Sequence, residues 1–139
     1  MKSRTLAVFV VVACLAAAAV YAQSSARLVG AIPFEFRIGT SVLPAGDYEV
    51  IPGLAPRALL IRAQDGKTAV VTLSNAAEKS QAPKDSTLVF NRYGSTYFLS
   101  QVWHAGNNRG YQMSKSKIER EMAKNVPGTE LASLSITLR

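Results

Sequence analysis

The side chains of this chain that could do chemistry are few. Its 139 residues include a single histidine, His104, so serine-type nucleophilic catalysis would need that imidazole held by a third group and aimed at a hydroxyl. No serine sits in a nucleophile-elbow or comparable motif, and His104 reads as a strand-edge histidine. Metal binding has less to work with. The one cysteine is Cys14, and neither Asp47/Glu49 nor Glu119/Glu121 has the spacing of a calcium loop. Glu35 with Asp47 or Glu49 would be the carboxylate pair for glycoside hydrolysis if folding juxtaposed them, but outward strand charges beside Arg37 are the simpler reading. Gly106-Asn107-Asn108-Arg109-Gly110 is glycine-rich and basic. It lacks the lysine and the strand-loop-helix setting of a phosphate loop, and reads as a surface turn. What remains is a contact surface: Tyr97, Trp103, His104, Arg109 and Tyr111 offer rings, an imidazole and a guanidinium suited to a sugar or an anionic polymer. No catalytic residue, cofactor or metal is expected.

The elements that must position these residues are legible by alternation. Ile32 to Ile38 puts Phe34, Phe36 and Ile38 on one side of a strand, with Glu35 and Arg37 on the other. Turns at Gly39-Thr40-Ser41 and Leu43-Pro44-Ala45-Gly46 lead into Asp47 to Ile51, where Tyr48 and Val50 share a face, and Pro52-Gly53 stops that strand. Ala58 to Arg62 and Thr68 to Leu73 read as a hairpin through Gln64-Asp65-Gly66-Lys67, with Asp-Gly supplying positive φ angles. Asn75 to Asp85 reads as an exposed loop. Leu88-Val89-Phe90 and Tyr97 to Trp103 flank Asn91-Arg92-Tyr93-Gly94 in a second hairpin. Ser114 to Asn125 is the helix candidate: Lys115/Glu119 and Lys117/Glu121 are four apart, and Ile118 and Met122 form a narrow apolar stripe. Pro127-Gly128 ends it, and Leu134 to Leu138 alternates as a closing strand. About seven strands and one late helix predict an all-β domain, an antiparallel sandwich or a small barrel.

Ahead of these strands, Lys2 and Arg4 precede an apolar run from Leu6 to Val20 and a small-residue exit at Val20-Tyr21-Ala22. This reads as a cleavable signal peptide over residues 1–22, leaving one β-rich domain over 23–139. The run is about 15 residues, short of the roughly 20 that span a bilayer, so no transmembrane segment is expected after processing. Val11-Val12-Ala13-Cys14 also resembles a lipoprotein box, but the apolar run continues through Leu15 to Val20 where a polar tether would be expected.

The combination Ile32-Pro33-Phe34-Glu35-Phe36, Leu43-Pro44-Ala45-Gly46-Asp47-Tyr48, Leu88-Val89-Phe90-Asn91-Arg92-Tyr93-Gly94 and Tyr97-Phe98-Leu99 with Trp103 resembles a group of short, uncharacterised secreted proteins of soil bacteria. That resemblance implies export and a compact β domain. It carries no assigned reaction and no functional residues to transfer.

Sixteen basic against nine acidic side chains give a net charge of +7. For an exported domain, in the periplasm or outside the cell, this favours encounters with an anionic envelope component or polysaccharide. Basic residues are scattered and no nucleic-acid-binding signature occurs, so nucleic acid is not an expected partner. The leading expectation is a non-enzymatic structural or adhesive domain at the cell envelope or beyond. The alternative is a sandwich or barrel module binding a carbohydrate or small apolar ligand, and a hydrolase comes third.

Overall fold

Most of the ten strands follow apolar residues at every second position in a computed structural model that describes residues 27–53, 55–126 and 132–138. The expected signal peptide, the Cys14 alternative and the Pro127-Gly128 helix stop lie outside the described residues. In order, the elements are β1 (Leu28–Ile32), β2 (Phe36–Ile38), β3 (Ser41–Leu43), β4 (Gly46–Pro52), β5 (Ala58–Ala63), β6 (Ala69–Glu78), β7 (Ser86–Tyr93), β8 (Thr96–Trp103), β9 (Arg109–Met113), α1 (Lys117–Asn125) and β10 (Ala132–Leu138). Strands β1, β4, β5 and the first half of β6 form one layer. The second half of β6 continues into β9 and β8, from which β2–β3 and β7–β10 extend as the other layer. Among the described residues all pairs are antiparallel except β2 with β8.

The all-β expectation holds, and the architecture is an open, sandwich-like sheet folded over on itself. Strand β10 lies beside β1, where Leu138 occupies the space a Cβ on Gly30 would need, but no ladder joins the two among the described residues. The core between the layers takes Leu28, Ile32, Tyr48, Val50, Leu59 and Ile61 from one side and Phe36, Leu43, Leu88, Phe90, Leu99 and Val102 from the other. Burying this many large side chains, at about 1.5–3 kcal/mol each, is the main stabilising contribution.

The strand count exceeds the expected seven for identifiable reasons. Ile32 to Ile38 is not one strand: the chain leaves β1 at Pro33 and enters the other layer as β2, with Phe34 stacked on Tyr97 at 4.0 Å in the corner. Residues Asn75 to Glu78, expected in a loop, extend β6 because β9 pairs with them from Ser74↔Met113 to Glu78↔Arg109. The second hairpin turns at Gly94, whose φ is +62°, and β7 runs through Tyr93. In the first hairpin Gly66 alone takes positive φ. Asp65 instead accepts a hydrogen bond from the Lys67 amide at 2.9 Å.

Strand β8 is covered on both faces. Its outer face carries Phe98 and Trp103, which with Tyr93 are buried outside the main core. Helix α1 covers part of this face and starts at Ser116, whose hydroxyl accepts from the Glu119 amide at 3.1 Å. The expected helix is present but docks differently. Its buried residue is Glu119, while Ile118 is exposed. The Glu119 carboxylate accepts from Asn91 Nδ2 at 2.9 Å and from the Tyr93 hydroxyl at 3.2 Å. Burial first, and the nearby Glu119 charge second, push the Tyr93 phenol pKa up. Trp103 lies flat on β9 because Gly110 has no side chain: a Cβ there would sit 2.5 Å from the indole.

Two stability predictions follow from this face. Gly110→Ala must displace a buried indole or a paired strand, and is expected to cost about 2 kcal/mol in urea unfolding; an unchanged midpoint would contradict the seating of Trp103 on β9. Glu119→Ala leaves the Asn91 amide and Tyr93 hydroxyl without their acceptor and is expected to cost about 2 kcal/mol, with faster amide exchange in α1. Glu119→Gln keeps an acceptor and should lose less; equal losses would assign the effect to packing alone.

Candidate functional site

The β4–β5 connection ends in a four-residue turn closed by the Ala58 amide on the Ala55 carbonyl at 3.0 Å. Pro56 occupies its second position and Arg57 its third, with φ of +67°. A turn with proline there and positive φ next is of the type II kind, which normally places glycine or asparagine where Arg57 stands. A side chain in this region costs roughly 1–2 kcal/mol. Four hydrogen bonds hold the arginine. Its carbonyl accepts from the Ser74 amide at 2.8 Å and the Ser74 hydroxyl at 3.0 Å. Its Nε donates to the Ser74 carbonyl at 3.0 Å, and Nη2 donates to Asn75 Oδ1.

Strand β9 comes alongside the second half of β6 and sets Tyr111 opposite Ala76 and Arg109 opposite Glu78. The loop before it is tied down: Gly106 donates to the Pro83 carbonyl at 2.9 Å, Asn107 to the His104 carbonyl at 3.2 Å, and Asn107 Oδ1 accepts from the Arg109 amide at 2.9 Å. Between this loop and Arg57 lies a recess of about 320 Å³ lined by Arg57, Ser74, Ala76, Asn107, Arg109, Gly110 and Tyr111. A second recess of about 300 Å³, which shares Arg57 and Ser74, reaches Asn75 and Ser114 on the other side. Arg109 Nε meets Glu78 Oε1 at 3.2 Å, with both side chains more than 60% exposed. Such a pair contributes at most about 1 kcal/mol and yields readily to a ligand.

Of the five expected contact residues, Arg109 and Tyr111 line the recess. His104 packs edge-on to Tyr111 at 6.1 Å between centroids. Its Nε2 is shielded from water without a hydrogen-bond partner, and burial lowers the imidazole pKa. Trp103 and Tyr97 do not join them. Trp103 is buried on the outer face of β8, where its Nε1 donates to Gln101 at 2.9 Å and Lys79 Nζ lies 4.2 Å from its ring centroid. Tyr97 stacks on Phe34 beside an exposed Glu35, at the corner between β1 and β2. Glu49 is buried in ion pairs with Arg27 and Arg62 and does not meet Glu35. Arg57, which the reading of strands and motifs passed over, is the central member of the site. The only trace of it in the sequence is Pro56, which predicts a turn but not which residue takes the left-handed conformation.

Among the described residues, no three His, Cys, Asp or Glu side chains gather as metal ligands, and no helix is long and apolar enough to cross a membrane. No protein-family model matches the chain, nor does any curated protein or solved structure.

The His104 environment has a consequence for pH. A histidine kept neutral by burial protonates more readily in the unfolded chain, so unfolding takes up a proton below the ordinary value of about 6.5. Its contribution to stability is complete above that value and is lost as pH falls through the window beneath it. As pH is lowered from neutrality through about 6.5 and below, melting temperatures should therefore fall more steeply for the native protein than for His104→Gln. Parallel slopes would contradict the burial of the imidazole.

Proposed function

We propose that this chain is a non-enzymatic exported domain that acts at the cell envelope or outside the cell by holding a ligand in the recess between Arg57 and Tyr111. The observation that carries the reading is the composition of that recess. A tyrosine ring, an amide and two guanidiniums surround a space left open by Ser74, Ala76 and Gly110. These are recognition groups, few in number and converging on one concavity, which is how small-molecule sites are generally built. A reaction centre would need a nucleophile within reach of a base, and the histidine here has its Nε2 unpartnered. Export is supported by the basic start, apolar run and small-residue exit of residues 1–22. Rings and hydrogen-bonding side chains together suit a carbohydrate better than a purely apolar ligand. An adhesive role follows directly where that carbohydrate belongs to a surface.

Titration with a panel of oligosaccharides, followed by amide NMR, should move the signals of Ala76, Asn107, Arg109, Gly110 and Tyr111 together and return the saccharide unchanged. Tyr111→Ala is expected to weaken binding about tenfold. Signals that move on another surface, or a saccharide that is cleaved, would overturn the reading.

A further inference from the structure

We infer that the ligand is an acidic saccharide of at least two units, whose carboxylate is taken by Arg57 at the junction of the two recesses. This rests on the recess being a saccharide site and adds what the site selects for.

Three observations converge on Arg57. Its backbone occupies a position where glycine would be free of strain, so an arginine there carries a conformational cost that its side chain must offset. Its guanidinium is held in one orientation by Nε on the Ser74 carbonyl and Nη2 on Asn75. A fork fixed in this way loses little freedom when it meets a planar carboxylate, the geometry in which arginine outperforms lysine. Finally, Arg57 and Ser74 belong to both recesses, of about 320 and 300 Å³. A chain of sugar units lying across Arg57 would place one unit against Tyr111, Gly110 and Asn107 and the next against Asn75 and Ser114.

Charge supports the same class of ligand. Among the described residues Arg57 forms no ion pair. Arg109, across the first recess, shares only its Nε with Glu78. Two guanidiniums against one exposed carboxylate leave the site positive, which favours an anionic saccharide over a neutral one of the same shape.

The test is calorimetric titration with trigalacturonate and with the neutral galactose trimer of the same linkage. The acid should bind at least about tenfold more tightly, and weaken as salt is raised. Arg57→Gly, which removes strain and guanidinium together, should lose about tenfold in affinity for the acid while melting no lower than the native protein. Arg57→Lys keeps the charge without the fork and should lose severalfold. Arg109→Gln gives an independent readout if Arg57 variants fold poorly, and should also bind the acid less tightly. Lys67→Gln removes one positive charge from the turn before β6 and should change affinity by less than about twofold. Equal affinity for both trimers would overturn carboxylate recognition while leaving the recess a sugar site. Binding of neither trimer would overturn both readings. A loss at Lys67→Gln as large as at Arg57→Gly would reduce the effect to diffuse attraction by a basic protein, and so overturn this one.

Discussion

Strand β6 changes partners in mid-course, and both layers depend on how that change is managed. Ala69 to Leu73 bond to β5, and Ser74 to Glu78 bond to β9. At the changeover the Ser74 amide has passed the start of β5, and a buried amide without an acceptor costs about 1–3 kcal/mol. The Arg57 carbonyl supplies that acceptor and takes the Ser74 hydroxyl as well. The left-handed backbone at Arg57 is what places its carbonyl there. The left-handed conformation is therefore fixed by hydrogen bonds that keep a shared strand continuous, whatever the side chain there, and the recess lies beside this changeover.

The second layer is held by a different device, since its outer face would otherwise present three large aromatic rings to water. Ser116 and Glu119 have the spacing of a capping box, in which the glutamate would reach back to the cap. Here Ser116 caps the helix in the usual way, but the glutamate side chain turns to the sheet and binds Asn91 and Tyr93. The helix is fixed over β7 by a polar contact of defined geometry, which compensates for a thin apolar stripe. Farther along, Lys79 and the missing side chain at Gly110 enclose Trp103. Both arrangements leave β8 buried on two faces, and β9, which brings Gly110 and Tyr111 to the recess, pairs with it.

How much of this was legible in the sequence depends on whether a side chain or the backbone decides. Alternation put Phe36 with Ile38 and Tyr48 with Val50 on shared faces, and all four lie in the core, because one buried face imposes period two. It missed the corner at Pro33, where alternation continues across a break between layers. It also missed β9. Arg109-Gly110-Tyr111-Gln112-Met113 has no strand-like pattern, and it becomes a strand because β6 and β8 offer backbone partners on either side. The ring at Trp103 looked suited to ligand contact as a residue type, yet a glycine seven positions later made room to bury it. Tyr111 and Arg109 were identified by type and proximity. Arg57 was not, because a positive φ at a non-glycine residue leaves no compositional mark.

Two arginine clusters among the described residues show why one of them is read as a binding site. Arg27 and Arg62 flank Glu49, whose side chain is 3% exposed. A carboxylate buried so deeply requires its partners, since an unpaired buried charge costs several kcal/mol. Those arginines are committed to the fold, and an incoming anion would have to compete with a carboxylate already in place. Around Arg57 the order is reversed. Its fixed contacts are to a neutral carbonyl and a neutral amide, so its charge is unspent by any ion pair among the described residues, and across the recess Arg109 holds the exposed Glu78. Equal counts of arginine therefore mean different things: neutralised by a buried acid they stabilise a sheet face, and oriented by neutral groups beside an open recess they are available to a ligand.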